Sequence, residues 1–545
     1  MAYFEELRKV FGMFRTLATS TIALIAGAAP LFAEVTPSQV WENLTDYYNR
    51  IGYEVVVGQE NDGGDTLTLG DVVIKSPENE DYTTNILIPK VTLQQTGDAN
   101  VRTVFDGDIT ADFTSPMPDA DDMEVSMVIA MPGNEMISSG TPEDLRHDFT
   151  YPTMTLSVNF GELAEGVEMP LNISLTDLAG TQTTKLTEGT ESVYDMTAAK
   201  LTAEFAADQP PSEDGTPQDG RIEGSFDVTD MVMKGSMITP AGEVDLTNDM
   251  TAALTAGLFT DGTFSSGPIA GSFHFSGQNP EGQPEEASGS FSAENSELVM
   301  ELSEKGFSYS GNSGRTEAEV NVSSLPFPIT YAADSASGAM AIPVLQSDTP
   351  QPFKFAYELA GLTLSDEIWD LFDADQQLPR DPASLAIDLD GDLLVNDNLF
   401  DPDFGQSLTE QVDGEQADGD DATGDALADG ADGTDVQDMP FVPQTLRIAK
   451  LALDAVGVTA DVTGELDLSQ NPQEPVGTIE GNFTGVSGMI DKLIAMGAIP
   501  QEQAMGIRMM LAMFAKPVND DPDNLRTELE FREGGSIFAN GQQVK

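Results

Sequence analysis

Hydrophobic positions recur every second residue over most of this chain. Val125, Met127 and Ile129 alternate with Glu124, Ser126 and Val128, and Met154, Leu156, Val158 and Phe160 with Thr153, Thr155, Ser157 and Asn159. Leu201, Ala203 and Phe205 are interleaved with Thr202 and Glu204, and Ala318, Val320 and Val322 with Glu317, Glu319 and Asn321. A period of two turns one face of a strand to a core and the other to water, as in antiparallel sheet. Turn clusters such as Asp62-Gly63-Gly64-Asp65 and Gly97-Asp98-Ala99-Asn100 separate the runs. Residues 53–360 therefore read as a succession of hairpins. Gly-Ser-Phe recurs at 224–226, 271–273 and 289–291, and Gly-Asn-Phe at 481–483. The spacing is irregular, and the motif predicts small residues that ease twist beside a Phe that packs inward.

The period changes at both ends of this stretch. Thr36-Pro37-Ser38-Gln39 forms a capping box, and Val40, Leu44, Tyr47 and Ile51 follow at helical spacing up to Gly52. This predicts an amphipathic helix over 37–51, with Trp41 on its apolar side. Ser365 is expected to cap a second short helix over 366–372, with Ile368, Leu371 and Phe372 on one face. A strand pair is expected around 385–387 and 393–395, joined by a tight turn at Asp390-Gly391. Strands are predicted at 445–454, 458–467 and 477–485. Helices are predicted at 486–496 and 501–515, broken by Gly497 and Pro500, and a strand pair at 525–532 and 536–540. The fold class that results is mainly β: a long curved antiparallel sheet with a short N-terminal helix and a methionine-rich C-terminal helix pair.

Composition narrows the setting. Arg8, Lys9 and Arg15 precede an apolar run from Leu17 to Phe32, and Leu31-Phe32-Ala33 stands before an acidic stretch. At roughly 16 residues the run is short for a membrane span and has the layout of a secretory signal peptide. Cleavage is expected after Ala33, and Met13 is an alternative start to Met1. The expected location is periplasmic or secreted, with no stable membrane insertion after cleavage. The net charge is −69, and removing residues 1–33 makes it −70, since three basic and two acidic residues leave. Such a chain repels nucleic acid and anionic membrane surfaces. Its charge fits a salty exterior, and divalent cations are expected to bind weakly at the acidic surface. With no cysteine there are no disulfides, and 40% apolar residues suffice for a core. Residues 401–440 lose apolar pattern, and 413–438 are rich in Asp, Gly and Ala with no basic residue, which reads as a disordered acidic linker or loop. The expected organisation is a β-rich domain over 34–400, this linker over 401–440, and a C-terminal β segment with the helix pair over 441–545, continuous with the main sheet.

Candidate chemistry is sparse. The two histidines, His147 in a polar turn and His274 on a solvated strand face, are read as surface residues. No zinc set, cysteine nucleophile, phosphate loop or nucleophile elbow is present, and no catalytic residue or cofactor is assigned. Asp388, Asp390 and Asp392 resemble a calcium loop, but Gly391 falls at the fourth position instead of the sixth. Met489, Met496, Met505, Met509, Met510 and Met513 crowd the C-terminal helices. Met505, Met509 and Met513 share one face at i, i+4 and i+8. Core filling is the favoured reading of that face, and a groove for an apolar ligand is the alternative.

Three groups of residues carry a family resemblance. They are Val35-Thr36-Pro37-Ser38-Gln39-Val40-Trp41 with Gly64-Asp65-Thr66-Leu67-Thr68-Leu69; Trp369 with Leu378-Pro379-Arg380-Asp381-Pro382-Ala383; and Gly464-Glu465-Leu466-Asp467 with Gly535-Ser536-Ile537-Phe538-Ala539-Asn540-Gly541. Together they resemble the alphaproteobacterial envelope proteins of DUF2125, over most of the chain outside the acidic run. The terminal Asn-Gly strand pair is also similar to the end of AsmA-like envelope proteins, which are implicated in lipid handling. The resemblance implies an envelope role, and because the family's activity is unassigned it carries over no functional residues. The function expected is an exported, non-enzymatic envelope protein that binds lipid or another apolar ligand in a sheet groove. The alternative is a structural or adhesive envelope component with no small ligand.

Overall fold

A computed structural model of the chain describes residues 35–50, 53–76, 83–115, 123–164, 167–208, 220–242, 249–278, 283–401, 404 and 440–545. The proposed signal peptide and nearly all of the acidic run lie outside these residues. The described chain is mainly antiparallel β with few helices, and it divides into two compact units. The first holds Met1–Thr247, Ala256–Ser290 and Val322–Ser324; the second holds Asn248–Thr255, Phe291–Asn321 and Leu325–Lys545.

In the first unit α1 (Pro37–Arg50) precedes β1 (Glu54–Asp62), β2 (Thr66–Lys75), β3 (Thr83–Gln95), β4 (Val101–Asp106), β5 (Ile109–Ser115), β6 (Met123–Ala130), β7 (Glu135–Thr141) and β8 (Asp144–Ala164). Then come β9 (Val167–Leu186), β10 (Thr190–Asp208), β11 (Arg221–Thr239), β12 (Phe259–Ser266), β13 (Ile269–Gln278) and most of β14 (Pro284–Ala293). The capping box forms as expected. Gln39 N donates to Thr36 Oγ1 at 3.3 Å, and Thr36 N donates to Gln39 Oε1 at 3.0 Å. The helix buries Val40, Leu44 and Tyr48 in one cluster with the inward residues of β2–β8, and Trp41 packs at its margin. Tyr48 lies on the buried face as well. The Tyr47 side chain and Ile51 lie outside the described residues.

His147 is not a surface residue. The turn is only Pro142-Glu143, and β8 begins at Asp144. Leu145, His147, Phe149 and Tyr151 point inward, each no more than 2% exposed, while Arg146 and Asp148 pair outside at 2.5 Å. His147 Nδ1 is hydrogen-bonded to the Ser138 hydroxyl on β7, and Nε2 has no partner among the described residues. Burial pushes the imidazole down to about 3, so it is neutral. His274 is exposed on β13, as expected. The recurrent Phe does not always pack inward: Phe226 is 38% and Phe291 41% exposed. Phe226 faces Ala203 and Gly271 across the neighbouring strands, which are too small to cover it.

The second unit contains α2 (Met250–Thr255), β15 (Ser296–Ser303), β16 (Gly306–Ser313), β17 (Thr316–Val322), β18 (Ile329–Ala333), β19 (Ser335–Ile342), β20 (Ser347–Leu364) and α3 (Asp366–Asp370). It continues with β21 (Ala383–Val395), β22 (Phe441–Ala455), β23 (Val458–Asp467), β24 (Val476–Thr484), α4 (Val486–Ala495) and α5 (Gln501–Phe514). It closes with β25 (Lys516–Val518), β26 (Asp521–Arg532), β27 (Ser536–Ala539) and β28 (Gln542–Gln543). Antiparallel pairing runs β15–β16–β19–β20–β21–β22–β23–β24–β26–β27–β28. Val395 faces Phe441 directly, so the acidic run connects two adjacent strands of one sheet.

Two local expectations are overturned here. First, α3 ends at Asp370, leaving Leu371 65% and Phe372 53% exposed, and it buries Trp369 instead. Arg380 fixes this corner. Its guanidinium reaches Asp366 and Asp370 at 2.6 Å each and lies 5.9 Å from the Trp369 ring. The buried Asp373 carboxylate takes the N–H groups of Gln377 and Leu378, which ends the helical path. Second, Asp390-Gly391 is not a turn. The predicted strand pair is one strand, β21, running through it. Gly391 is required because a Cβ there would sit 2.1 Å from the Thr445 carbonyl oxygen and 2.9 Å from the Phe353 ring. The glycine answers a close backbone approach beside a β-bulge.

Candidate functional site

Directly opposed residues of an antiparallel pair project from the same face. In the second unit the pairing register lines up two rows across nine strands, β15, β16, β19, β20, β21, β22, β23, β24 and β26. One row is Met300, Tyr309, Met340, Phe355, Leu389, Ile448, Gly464, Ile479 and Leu529. The other is Leu298, Gly311, Gly338, Tyr357, Ile387, Leu451, Val462, Gly481 and Thr527. Apart from the hydroxyls of Tyr309 and Tyr357, only Thr527 at the far end is polar. At about 4.8 Å per strand the rows extend roughly 38 Å. That exceeds twice the ~15 Å half-thickness of a bilayer's hydrocarbon core.

The face is open over its β15–β22 half. Met300, Tyr309, Phe355, Tyr357, Leu451 and Leu453 are each between 37% and 44% exposed. Gly338 sits opposite Tyr357, and a Cβ on it would meet only the Ala356 carbonyl oxygen, at 3.8 Å. The surface is therefore open above Gly338. Toward β26 the face closes: Leu525 and Thr527 are buried, and α4 packs on β23 and β26 while α5 packs on β26.

The opposite face is polar. Lys354 pairs with Asp388 at 3.2 Å, and Arg447 holds Asp390 through two hydrogen bonds of 2.8 and 2.6 Å. Those bonds keep the Asp390 carboxyl below the usual carboxylate range. The three aspartates of the apparent calcium loop thus lie along a strand face. A shallow trough of about 550 Å³ occupies this side, floored by Ala339, Ala356 and Ala386 and edged by Glu297, Glu358, Asp388 and Lys450. Among the described residues no group of three His, Cys, Asp or Glu side chains is gathered for a metal ion.

Residues 293–538 match the model of a family described as "Uncharacterized protein conserved in bacteria (DUF2125)". Over that range the chain is similar to the DUF2125 family. No curated protein matches the chain. The DUF2125 range contains all nine strands of the apolar face, the polar trough, α4 and α5, and it spans the acidic run. The motifs at Val35–Trp41 and Gly64–Leu69 lie outside it.

The α5 methionines of this segment are not core. Helix α5 seats Ala504, Ile507, Leu511 and Phe514 against the sheet side, with Ala504 1% exposed. Met505, Met509, Met510 and Met513 are 64%, 69%, 55% and 51% exposed. The helix carries two apolar stripes, and packing chose the one with a small residue and two branched ones. The sheet face and the Met505, Met509 and Met513 stripe are thus separate surfaces. The sheet face is not legible at the level of residues because it arises from register between paired residues up to 64 positions apart. Its signal in the sequence is the run of apolar alternations with Gly311, Gly338, Gly464 and Gly481 in phase. Among the described residues no helix is long and apolar enough to cross a membrane.

Proposed function

We propose that this is an exported, non-enzymatic envelope protein, periplasmic or secreted, that takes up an apolar chain, such as a lipid or fatty acid, along the sheet face of the second unit. The half-open nine-strand apolar face carries this reading. A single large apolar surface of this kind on a strongly acidic chain calls for an occupant. About 40% of roughly 200 Å² on each of six side chains leaves near 500 Å² to cover, a gross gain on the order of 10 kcal/mol. Association costs of about 4–15 kcal/mol offset much of that, so binding would be reversible and micromolar to millimolar in scale. Native mass spectrometry of protein purified from the periplasm tests the reading. Adducts with lipid masses support it. A bare chain that also takes up no added fatty acid favours the structural or adhesive role.

A further inference from the structure

We propose that the outward face of α5 is a thioether site for a soft monovalent metal ion, copper(I), held by Met509, Met510 and Met513, with Met505 one turn away. This goes beyond the lipid reading and does not depend on it. Met513 lies one turn after both Met509, at i+4, and Met510, at i+3. Side chains at these spacings have Cβ atoms about 5–6 Å apart, and the three flexible thioethers can converge on one ion from a single helical turn. All three are more than half exposed; Met509 and Met513 lie on the side away from the stripe that packs the helix, and Met510 flanks that stripe. None of the three is among the buried residues.

Packing gives no reason for thioethers here, because Gln, Lys or Glu would serve an exposed helical position with less apolar exposure. Ligand chemistry does give one. Soft thioether sulfur selects copper(I) over the harder calcium, magnesium and zinc ions. The chain has no cysteine, so methionine supplies its only soft ligands. The large negative charge raises the local concentration of any cation. The one basic residue on α5, Arg508, is held by Asp491 at 2.6 Å, which offsets its charge beside the site.

The test uses the full chain titrated with copper(I) under ascorbate against a chromogenic copper(I) chelator. The expected result is withdrawal of one equivalent. The triple variant Met509→Leu, Met510→Leu, Met513→Leu should bind at least tenfold more weakly with unchanged circular dichroism. Leucine keeps the face apolar, so a surface that served only an acyl chain would be unaffected. No withdrawal by the parent, or equal binding by a folded triple variant, overturns the proposal. Should that variant fail to fold, silver(I) protection of the unaltered chain decides. Silver(I) should slow peroxide conversion of Met509, Met510 and Met513 to sulfoxide relative to Met300 and Met340. Equal rates with and without silver(I) overturn it.

Discussion

His147 should make the first unit lose stability as pH falls through the mildly acidic range. Its imidazole is fully buried and held down to about 3, whereas in the unfolded chain it titrates near 6.5. The unfolded state thus takes up a proton that the fold refuses. Stability is complete above about pH 6.5 and is lost as pH drops toward the folded value. At about 1.4 kcal/mol per pH unit below 6.5, the loss between pH 7.5 and pH 5 is about 2 kcal/mol. The comparison protein is Ser138→Ala, His147→Leu, which removes both partners of the buried hydrogen bond and leaves no orphaned hydroxyl. Both proteins carry Trp369→Phe, so that Trp41, which packs at the margin of the same core, is the only indole. Urea unfolding followed by Trp41 fluorescence at pH 7.5, 6.5, 5.5 and 5 gives stability at each pH. The variant is weaker at every pH because it loses packing, but its curve should be flatter by about 2 kcal/mol across the range. Parallel curves would mean that the imidazole is protonated in the fold, and would refute the buried, neutral assignment.

Other perturbations test separate parts of the account. Gly391→Ala should destabilise the second unit by about 1–3 kcal/mol, read as a lowered urea midpoint, because its Cβ has nowhere to go beside Thr445. Met509→Gln should change stability by less than about 0.5 kcal/mol, since the side chain is mostly exposed and the two residues have similar helix propensity. A loss of several kcal/mol would restore the core reading of that face. The melting temperature should rise as NaCl goes from about 10 mM to about 1 M, which shortens the screening length from about 30 to about 3 Å. An unchanged melting temperature would mean that the net charge of −69 is spread too thinly to matter.

The alternation of polar and apolar residues carried most of the fold, because each strand buries one face regardless of its partner. The Thr36–Gln39 box and the C-terminal strands and helices were likewise legible, since their signals are local. Misreadings arose where a local signal competed with a distant neighbour. Asp390-Gly391 is turn chemistry by itself, but Thr445 and Phe353 approach from other strands and demand a glycine there. His147 looked solvated because five of the six residues from Glu143 to Asp148 are polar or charged, yet only alternate ones face water. On α5 two stripes were apolar enough to pack, and only the tertiary structure selects Ala504, Ile507, Leu511 and Phe514. The apolar sheet face needs the register of nine strands, which alternation within one strand does not encode.

The most direct measurement is uptake of a fluorescent fatty acid by the parent and by Phe355→Asp, Tyr357→Asp, with far-UV circular dichroism of both. Phe355 and Tyr357 are 43% and 37% exposed at the open centre of the face, so the fold should tolerate the change while the apolar row is broken. The account predicts saturable uptake by the parent and at least a tenfold weaker response from the folded variant. Equal uptake by both proteins, or none by a parent stripped of bound lipid, would contradict it.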